Sequence, residues 1–316
     1  MVWIDNGKAQ GAGMIGKNIV VNGALASPSM ASATLSDTDV TYGYGCYETL
    51  KIRQGLLYFP EFHADRLIRS AAILGIQHTL SREQVVSAIH LLDHANGITE
   101  SNIKIMLIGH EGRNADWYIF MLPPIIPPTV AYESGVSCLI FKGERHFPAA
   151  KSLSMLLSTV AYRAATSLGC YDALLVNGRG EITEGTRTNL FYARIGESDA
   201  VYTPPRKDAL EGITRKTLME ALAEVGIKTK ERPLSVVEAL SGKFALAVTS
   251  TSSRVIAIKT LVGVVAPSGE QALAPLAESM LSPTDSRLVE LASSHEIDRM
   301  KTVYDDFLDS YADKKA

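Results

Sequence analysis

The stretch Ala149-Ala150-Lys151-Ser152-Leu153-Ser154-Met155-Leu156-Leu157 sets one lysine among small and apolar residues. Lysine head groups normally stay in water, and loss of that water lowers the pKa toward a nucleophilic amine. Such an amine suits a Schiff base. Further along comes Glu181-Ile182-Thr183-Glu184-Gly185-Thr186-Arg187-Thr188-Asn189-Leu190-Phe191. A carboxylate there, Glu184 or its neighbour Glu181, suits a protonated ring nitrogen. The expectation is that Lys151 and this acid hold a cofactor between them, while the rest of the chain builds walls, a phosphate clamp and a substrate entrance.

With 316 residues, the chain exceeds the ~250–300 that one hydrophobic core usually serves, so two domains are expected. A net charge of -3 offers no basic field for nucleic acid and no polybasic run for a membrane surface. No apolar run approaches the ~20 residues that span a bilayer. Cys46, Cys138 and Cys170 are sparse, odd in number and lack a C-x-x-C pair, which argues against a disulfide framework and a cysteine metal site. Met1-Val2-Trp3-Ile4-Asp5 does not open a signal peptide. A soluble cytoplasmic protein is expected.

Local signals divide the chain. Residues 5–17 are rich in glycine and read as a mobile leader. Lys17–Leu25 is a strand, an Asn22-Gly23 turn and a second strand. Tyr42–Ile52 reads as a strand returning through Gln54-Gly55, and Pro60 opens a helix that carries His63, Arg66 and Leu67 on one face. Ser81-Arg82-Glu83-Gln84 is a capping box, and strands at 103–108 and 117–122 flank a polar loop at 109–116. Pro123–Pro128 is a stiff linker. The expected domains are 1–124, a linker at 125–135, and 136–316. In the second domain a strand (136–141), a helix (156–167) and a strand (171–176) lead through Asn177-Gly178 into the Glu184 stretch. Gly212 opens a helix, Ser235 begins another capping box, Phe244–Val248 is a strand, and Met300–Tyr311 is a terminal helix.

Three features suit a phosphate. Arg66 offers a guanidinium fork. Gly212-Ile213-Thr214 offers backbone N–H groups at a helix start. Thr249–Ser253, which includes Ser250 and Thr251, is a run of hydroxyls after a strand.

Together these blocks resemble the fold-type IV pyridoxal-phosphate enzymes: D-amino acid aminotransferases, branched-chain aminotransferases and aminodeoxychorismate lyases. The resemblance rests on Tyr42–Leu50, His63-x-x-Arg66-Leu67, Lys151-Ser152-Leu153, Glu184-Gly185 with Asn189-Leu190-Phe191, Thr203-Pro204, Leu210-x-Gly212-Ile213-Thr214-Arg215, and Ser250-Thr251. It implies a small α+β N-terminal domain and a larger β-barrel-like C-terminal domain, in a homodimer. It implies that Lys151 forms the Schiff base with pyridoxal 5'-phosphate and shuttles the proton. It gives Glu184 the pyridine nitrogen, and it gives Arg66, Ile213, Thr214, Ser250 and Thr251 the phosphate. Tyr47 would line the substrate pocket.

Two departures bear on the substrate. The family commonly has Asn where this chain has Ser154, and branched-chain enzymes usually place Tyr near Met155. The Lys151-Ser152-Leu153 and Gly45-Cys46-Tyr47-Glu48 runs look more like the D-amino acid enzymes. Yet the Arg-x-His carboxylate anchor of those enzymes is missing, and His110 and Arg113 stand in its loop instead. Lys104, Arg113 and Arg187 are the candidate anchors, with Arg187 first because it follows Glu184 closely. The expected activity is amino transfer between an amino acid, D-configured by slight preference, and a 2-oxo acid. Release of pyruvate from aminodeoxychorismate, branched-chain transamination and (R)-amine transamination are the alternatives.

Overall fold

Two turn dipeptides set the frame of the first sheet. The computed structural model describes residues 13–32, 36–197, 200–264 and 286–315. Asn22 (φ 49°) and Gly23 (φ 90°) join β1 (Ile15–Val21) to β2 (Ala24–Ala26). Gln54 (φ 53°) and Gly55 (φ 76°) join β3 (Gly45–Arg53) to β4 (Leu56–Leu57). Positive φ at both central residues is the hairpin geometry that matches strand twist. With β5 (Ser101–His110) and β6 (Arg113–Leu122) the sheet runs β2-β1-β6-β5-β3-β4, antiparallel throughout.

Strand alternation buries Leu50, Ile52, Ile103, Ile105, Leu107, Ile119 and Met121. The short α1 (Thr38–Thr41) precedes β3; against the strands α2 (Pro60–Leu74) sets Ala64, Leu67 and Ala71, and α3 (Arg82–Asn96) sets Val85, Ala88, Ile89 and Leu92. Pro60 opens α2, and the Ser81–Gln84 capping box opens α3. The stretch 109–116, expected as a loop, is mostly strand. His110 faces Arg113 across a turn at Glu111-Gly112. The expected leader at 5–17 also yields a strand from Ile15 onward, and its first residues lie outside the described ones.

The chain forms two compact units, and their boundary is not a single linker. One unit holds the described residues up to Ile126 together with Ala149–Met155; the other holds Pro127–Pro148 and the described residues from Leu156 to Lys314. The Lys151 segment, assigned by sequence to the second domain, therefore belongs with the first. Inside the expected linker, residues after Pro128 coil into α4 (Thr129–Ser134).

The second unit is built on a ten-stranded mixed sheet. Its strands are β7 (Val136–Lys142), β8 (Asp172–Val176), β9 (Glu181–Gly185), β10 (Asn189–Arg194), β11 (Ala200–Thr203), β12 (Lys228–Glu231), β13 (Leu234–Ser235), β14 (Phe244–Ser250), β15 (Arg254–Val264) and β16 (Ser286–Glu290). They run β12-β11-β10-β14-β15-β7-β8-β9-β13, with β16 added to β15. The pairs β11–β12, β15–β7 and β7–β8 are parallel. A parallel pair needs a crossover, which α5 (Leu156–Ser167) supplies between β7 and β8. Both faces of that pair are covered: Cys138, Ile140, Leu174 and Val176 join the main core, while Leu139, Phe141, Ala173 and Leu175 meet Ala161 and Ala165 of α5. This explains why the two strands read as continuous apolar runs. Among the described residues the remaining helices of this unit are α6 (Ile213–Glu224), α7 (Val236–Ala239) and α8 (His295–Lys315). Two units of mixed helix and sheet, the second larger and richer in strand, are the expected α+β architecture.

Candidate active site

In the first unit the backbone around Lys151 behaves as an extra rung on β3. The Tyr47 N–H donates to the Lys151 carbonyl at 2.9 Å, and the Leu153 N–H donates to the Gly45 carbonyl at 2.8 Å. Cys46 and Ser152 form an antiparallel bridge, and the Lys151 N–H donates to Ser70 Oγ on α2 at 3.0 Å. A lysine held on both sides by backbone hydrogen bonds has little freedom except in its own side chain. The approach requires Gly45: a Cβ there would meet the Leu107 carbonyl at 2.5 Å and Leu153 Cδ1 at 2.6 Å. Lys151 is half-buried, with Nζ 4.5 Å from the centroid of the Tyr47 ring. Lys104 Nζ lies 5.1 Å from the same centroid. Both ammonium groups sit at cation–π range of one ring. The Tyr47 hydroxyl meets Met155 Sδ at 3.4 Å.

Beneath this lies a buried charge cluster. Arg66 donates from Nε to Glu48 Oε1 at 2.6 Å and from Nη2 to Glu48 Oε2 at 2.7 Å, while His63 Nδ1 lies 2.7 Å from Oε2. Glu48 and His63 are fully buried, and Arg66 nearly so. Burial alone would raise the Glu48 pKa, but the charge and hydrogen bonds of Arg66, helped by His63, pull it down to about 2. Burial lowers the pKa of His63 against the pull of Glu48, so the ring is neutral. An ionised carboxylate only accepts, so the His63 proton sits on Nδ1. Nε2 is then an acceptor with no partner among the described residues. Glu48 takes the Nε–Nη2 edge of the Arg66 fork and so fixes the guanidinium in place. The Cys46 thiol beside it is pushed up to about 12 by burial and by Glu48, and so is inert.

In the second unit Glu184 lies on β9 and is buried. Its Oε2 accepts the Leu210 N–H at 3.2 Å, and Arg145 Nη1 stands 3.6 Å from Oε1. Leu210 begins the approach to α6, so the carboxylate and the α6 turn are tied together. The α6 N-cap is Gly212, with no side-chain cap and no acid in the first turn. Its first N–H groups, those of Ile213 and Thr214, are thus suited to an anion. A Cβ on Gly212 would meet Asn189 Oδ1 at 2.0 Å, and Asn189 Nδ2 donates to the Leu210 carbonyl at 2.7 Å. Asn189 and Thr249 are direct cross-strand partners, so their side chains share a sheet face. Thr249 Oγ1 is buried on that face without a partner among the described residues. Just beyond, Ser250 and Ser253 close the β14–β15 turn, their hydroxyls 2.7 Å apart. Thr251 sits within this turn.

These features fit pyridoxal phosphate part by part. A backbone-pinned amine suits its aldehyde, and a buried carboxylate held by a backbone N–H suits its ring nitrogen. An uncapped helix start beside an orphaned hydroxyl suits its phosphate. The three candidate carboxylate anchors separate clearly. Lys104 shares the Tyr47 ring with Lys151. Arg113 is half exposed on the β5–β6 hairpin and paired with Asp116 at 3.0 Å. Arg187 lies 4.3 Å from the Tyr162 ring centroid and 5.1 Å from that of Tyr171, and donates to the Tyr171 carbonyl at 3.1 Å. Glu181 pairs with Arg179 and Asn177. The sequence reading does not contain Arg145, nor a role for Glu48. Glu48 stands inside a motif noticed for other residues, and Arg145 lies in a loop of no regular period, so neither carried a local signal.

Residues 45–261 match the family model for class IV amino-transferases. The chain is 26% identical over 261 residues to the D-alanine aminotransferase of Bacillus licheniformis, covering 79% of this chain and 90% of that protein. It is 26% identical over 258 residues to a putative branched-chain-amino-acid aminotransferase of Methanocaldococcus jannaschii, covering 78% and 88%. Among solved structures it resembles the branched-chain aminotransferase of Thermoproteus uzoniensis, with a TM-score of 0.75 at 20% identity over 92% of this chain and 94% of that one.

Proposed function

The chain belongs to the class IV aminotransferases, and from that premise we propose that it binds pyridoxal 5'-phosphate through Lys151 and transfers the amino group of a D-amino acid to a 2-oxo acid. The observation that carries this reading is the placing of two ammonium groups, Lys151 and Lys104, over the one Tyr47 ring.

When bound, pyridoxal phosphate supplies an aldehyde and an electron-accepting ring. The chain's own residues do the rest. Lys151 would hold the aldehyde carbon and would carry a proton at Nζ. Glu184 keeps a proton on the ring nitrogen, and Arg145 steadies that carboxylate. Arg66, the N–H groups of Ile213 and Thr214, and the hydroxyls of Ser250 and Thr251 bind the phosphate. Tyr47 is a wall. Lys104 pairs with the substrate carboxylate, a role for which Arg113 and Arg187 are less well suited because each is engaged elsewhere. The preference for the D-series is supported by the Gly45–Glu48 and Lys151–Leu153 runs, and by Met155 where branched-chain enzymes usually carry tyrosine. A cytoplasmic homodimer is the proposed setting. Exposed Met30 and Tyr42 in one unit, and Phe147 and Leu156 in the other, are side chains that a partner subunit would cover.

The test adds D-alanine, D-glutamate, L-leucine and (R)-1-phenylethylamine separately to the cofactor-loaded protein and follows its absorbance. Conversion to the pyridoxamine form by the D-amino acids supports the proposal. Conversion by L-leucine alone overturns the D-preference, and failure to take up pyridoxal phosphate overturns the whole reading. Lys104→Met is expected to raise the KM for the amino acid at least about tenfold, which is ~1.4 kcal/mol. An equal KM in that variant removes Lys104 from the anchor role.

A further inference from the structure

The last helix, α8, lies beyond the segment 45–261 that matches the family model. It meets both elements assigned to the phosphate, using two adjacent residues. Tyr304 is buried, and its hydroxyl lies 3.0 Å from Thr217 Oγ1 on α6. Thr217 has a single hydroxyl proton, and its Oγ1 lies 2.9 Å from the Ile213 carbonyl. Spending the proton there makes Tyr304 the donor in the Tyr304–Thr217 bond. A relay therefore runs from the Tyr304 O–H through Thr217 to the carbonyl of Ile213, the first residue of α6. The residue after Tyr304, Asp305, accepts from Arg254 Nη1 at 2.8 Å. Arg254 directly follows the Ser250–Ser253 turn and holds φ at 54°, the left-handed region that side chains other than glycine seldom adopt.

We propose that Tyr304 and Asp305 are positioning residues for the cofactor phosphate, with α8 clamping the first turn of α6 and the β14–β15 turn in the geometry that receives the anion. This rests on the reading that those two turns bind the phosphate of pyridoxal phosphate. Without α8 the turns would still fold as helix start and hairpin. Their donors would then have to be ordered on binding, and that cost falls on affinity for the phosphate alone. The buried Tyr304 bond carries most of the effect. The Asp305–Arg254 pair is about a third exposed on each side, and such pairs contribute little.

The test is a titration of cofactor-free wild-type, Tyr304→Phe, Thr217→Ala and Asp305→Asn proteins with pyridoxal phosphate and with pyridoxal, which lacks the phosphate. Losing one net hydrogen bond predicts roughly five- to tenfold weaker binding of pyridoxal phosphate by Tyr304→Phe and by Thr217→Ala. A smaller loss, about twofold, is expected for Asp305→Asn. Pyridoxal affinity should stay within about twofold of wild type in all three. Unchanged affinity for pyridoxal phosphate in the first two variants, or an equal loss toward both ligands, overturns the clamp while leaving the phosphate assignment standing. If wild type itself binds pyridoxal as tightly as pyridoxal phosphate, and inorganic phosphate does not compete, the phosphate assignment fails and the clamp with it.

Discussion

Glu48→Gln keeps the shape of the buried side chain and removes the charge that holds Arg66 and His63. Its size follows from the native acidity of the group. The Glu48 carboxyl falls from an ordinary 4.5 to about 2, since Arg66 and His63 outweigh the opposing effect of burial. Such a fall is worth on the order of 3 kcal/mol of stability at neutral pH. Loss of one partner from a buried ion pair costs a similar ~3–5 kcal/mol. The sign is that of a depressed acid: the contribution is complete above 4.5 and disappears as pH falls toward 2. By about pH 3 less than half of it remains. His63, kept neutral by burial, acts in the same direction, with its contribution complete above 6.5 and lost below. Urea unfolding of the cofactor-free protein, followed by circular dichroism near pH 7 and near pH 3, measures both points. The gap between wild type and variant should narrow by about 2 kcal/mol between them. A loss below about 1 kcal/mol at neutral pH, or a gap that ignores pH, would refute the claim that this carboxylate neutralises Arg66.

Gly45→Ala pushes a methyl against the Leu107 carbonyl and Leu153. About 1–3 kcal/mol of stability is expected to go, with a larger proportional fall in kcat, because the displaced neighbour carries Lys151; denaturation and steady-state assays read the two. Arg145→Ala leaves Glu184 held by the Leu210 N–H. A fall in kcat of about tenfold, or ~1.4 kcal/mol, is expected at saturating cofactor, measured by single-turnover amino transfer. An unchanged rate would mean that the 3.6 Å contact with Glu184 steadies nothing the reaction uses.

The parts of this fold that could be read from sequence are those decided within a few residues. Asn22-Gly23, Gln54-Gly55, Pro60 and the boxes at Ser81 and Ser235 specify their own backbone, and the structure has each where expected. The stretch 109–116 misled because its polar composition resembles a loop, whereas strand pairing depends on the partner strand and tolerates polar residues on an exposed hairpin. The Lys151 stretch showed its chemistry but not its location: its neighbours are the backbone atoms of Gly45 and Tyr47, and backbone atoms leave no trace in side-chain identity. Arg66 is legible in its helix, yet its pairing with Glu48 is not, because a turn and a helix start separate the two. The contact between Tyr304 and Thr217 joins residues 87 positions apart, beyond the reach of any periodicity.

The rung that Ala149–Met155 adds to β3 also governs how the gene can be divided. Chain from the first unit leaves at Ile126 and returns for these few residues before departing again at Leu156. A fragment cut after the proline-rich segment would therefore lack them, exposing the Tyr47 N–H and the Gly45 carbonyl along a bare strand margin of the kind that recruits other chains. Lys151 would be missing from the half that seats it. Modules of this protein cannot be exchanged by a single crossover, and a split version would have to carry the seven-residue patch as a third piece or graft it back onto β3.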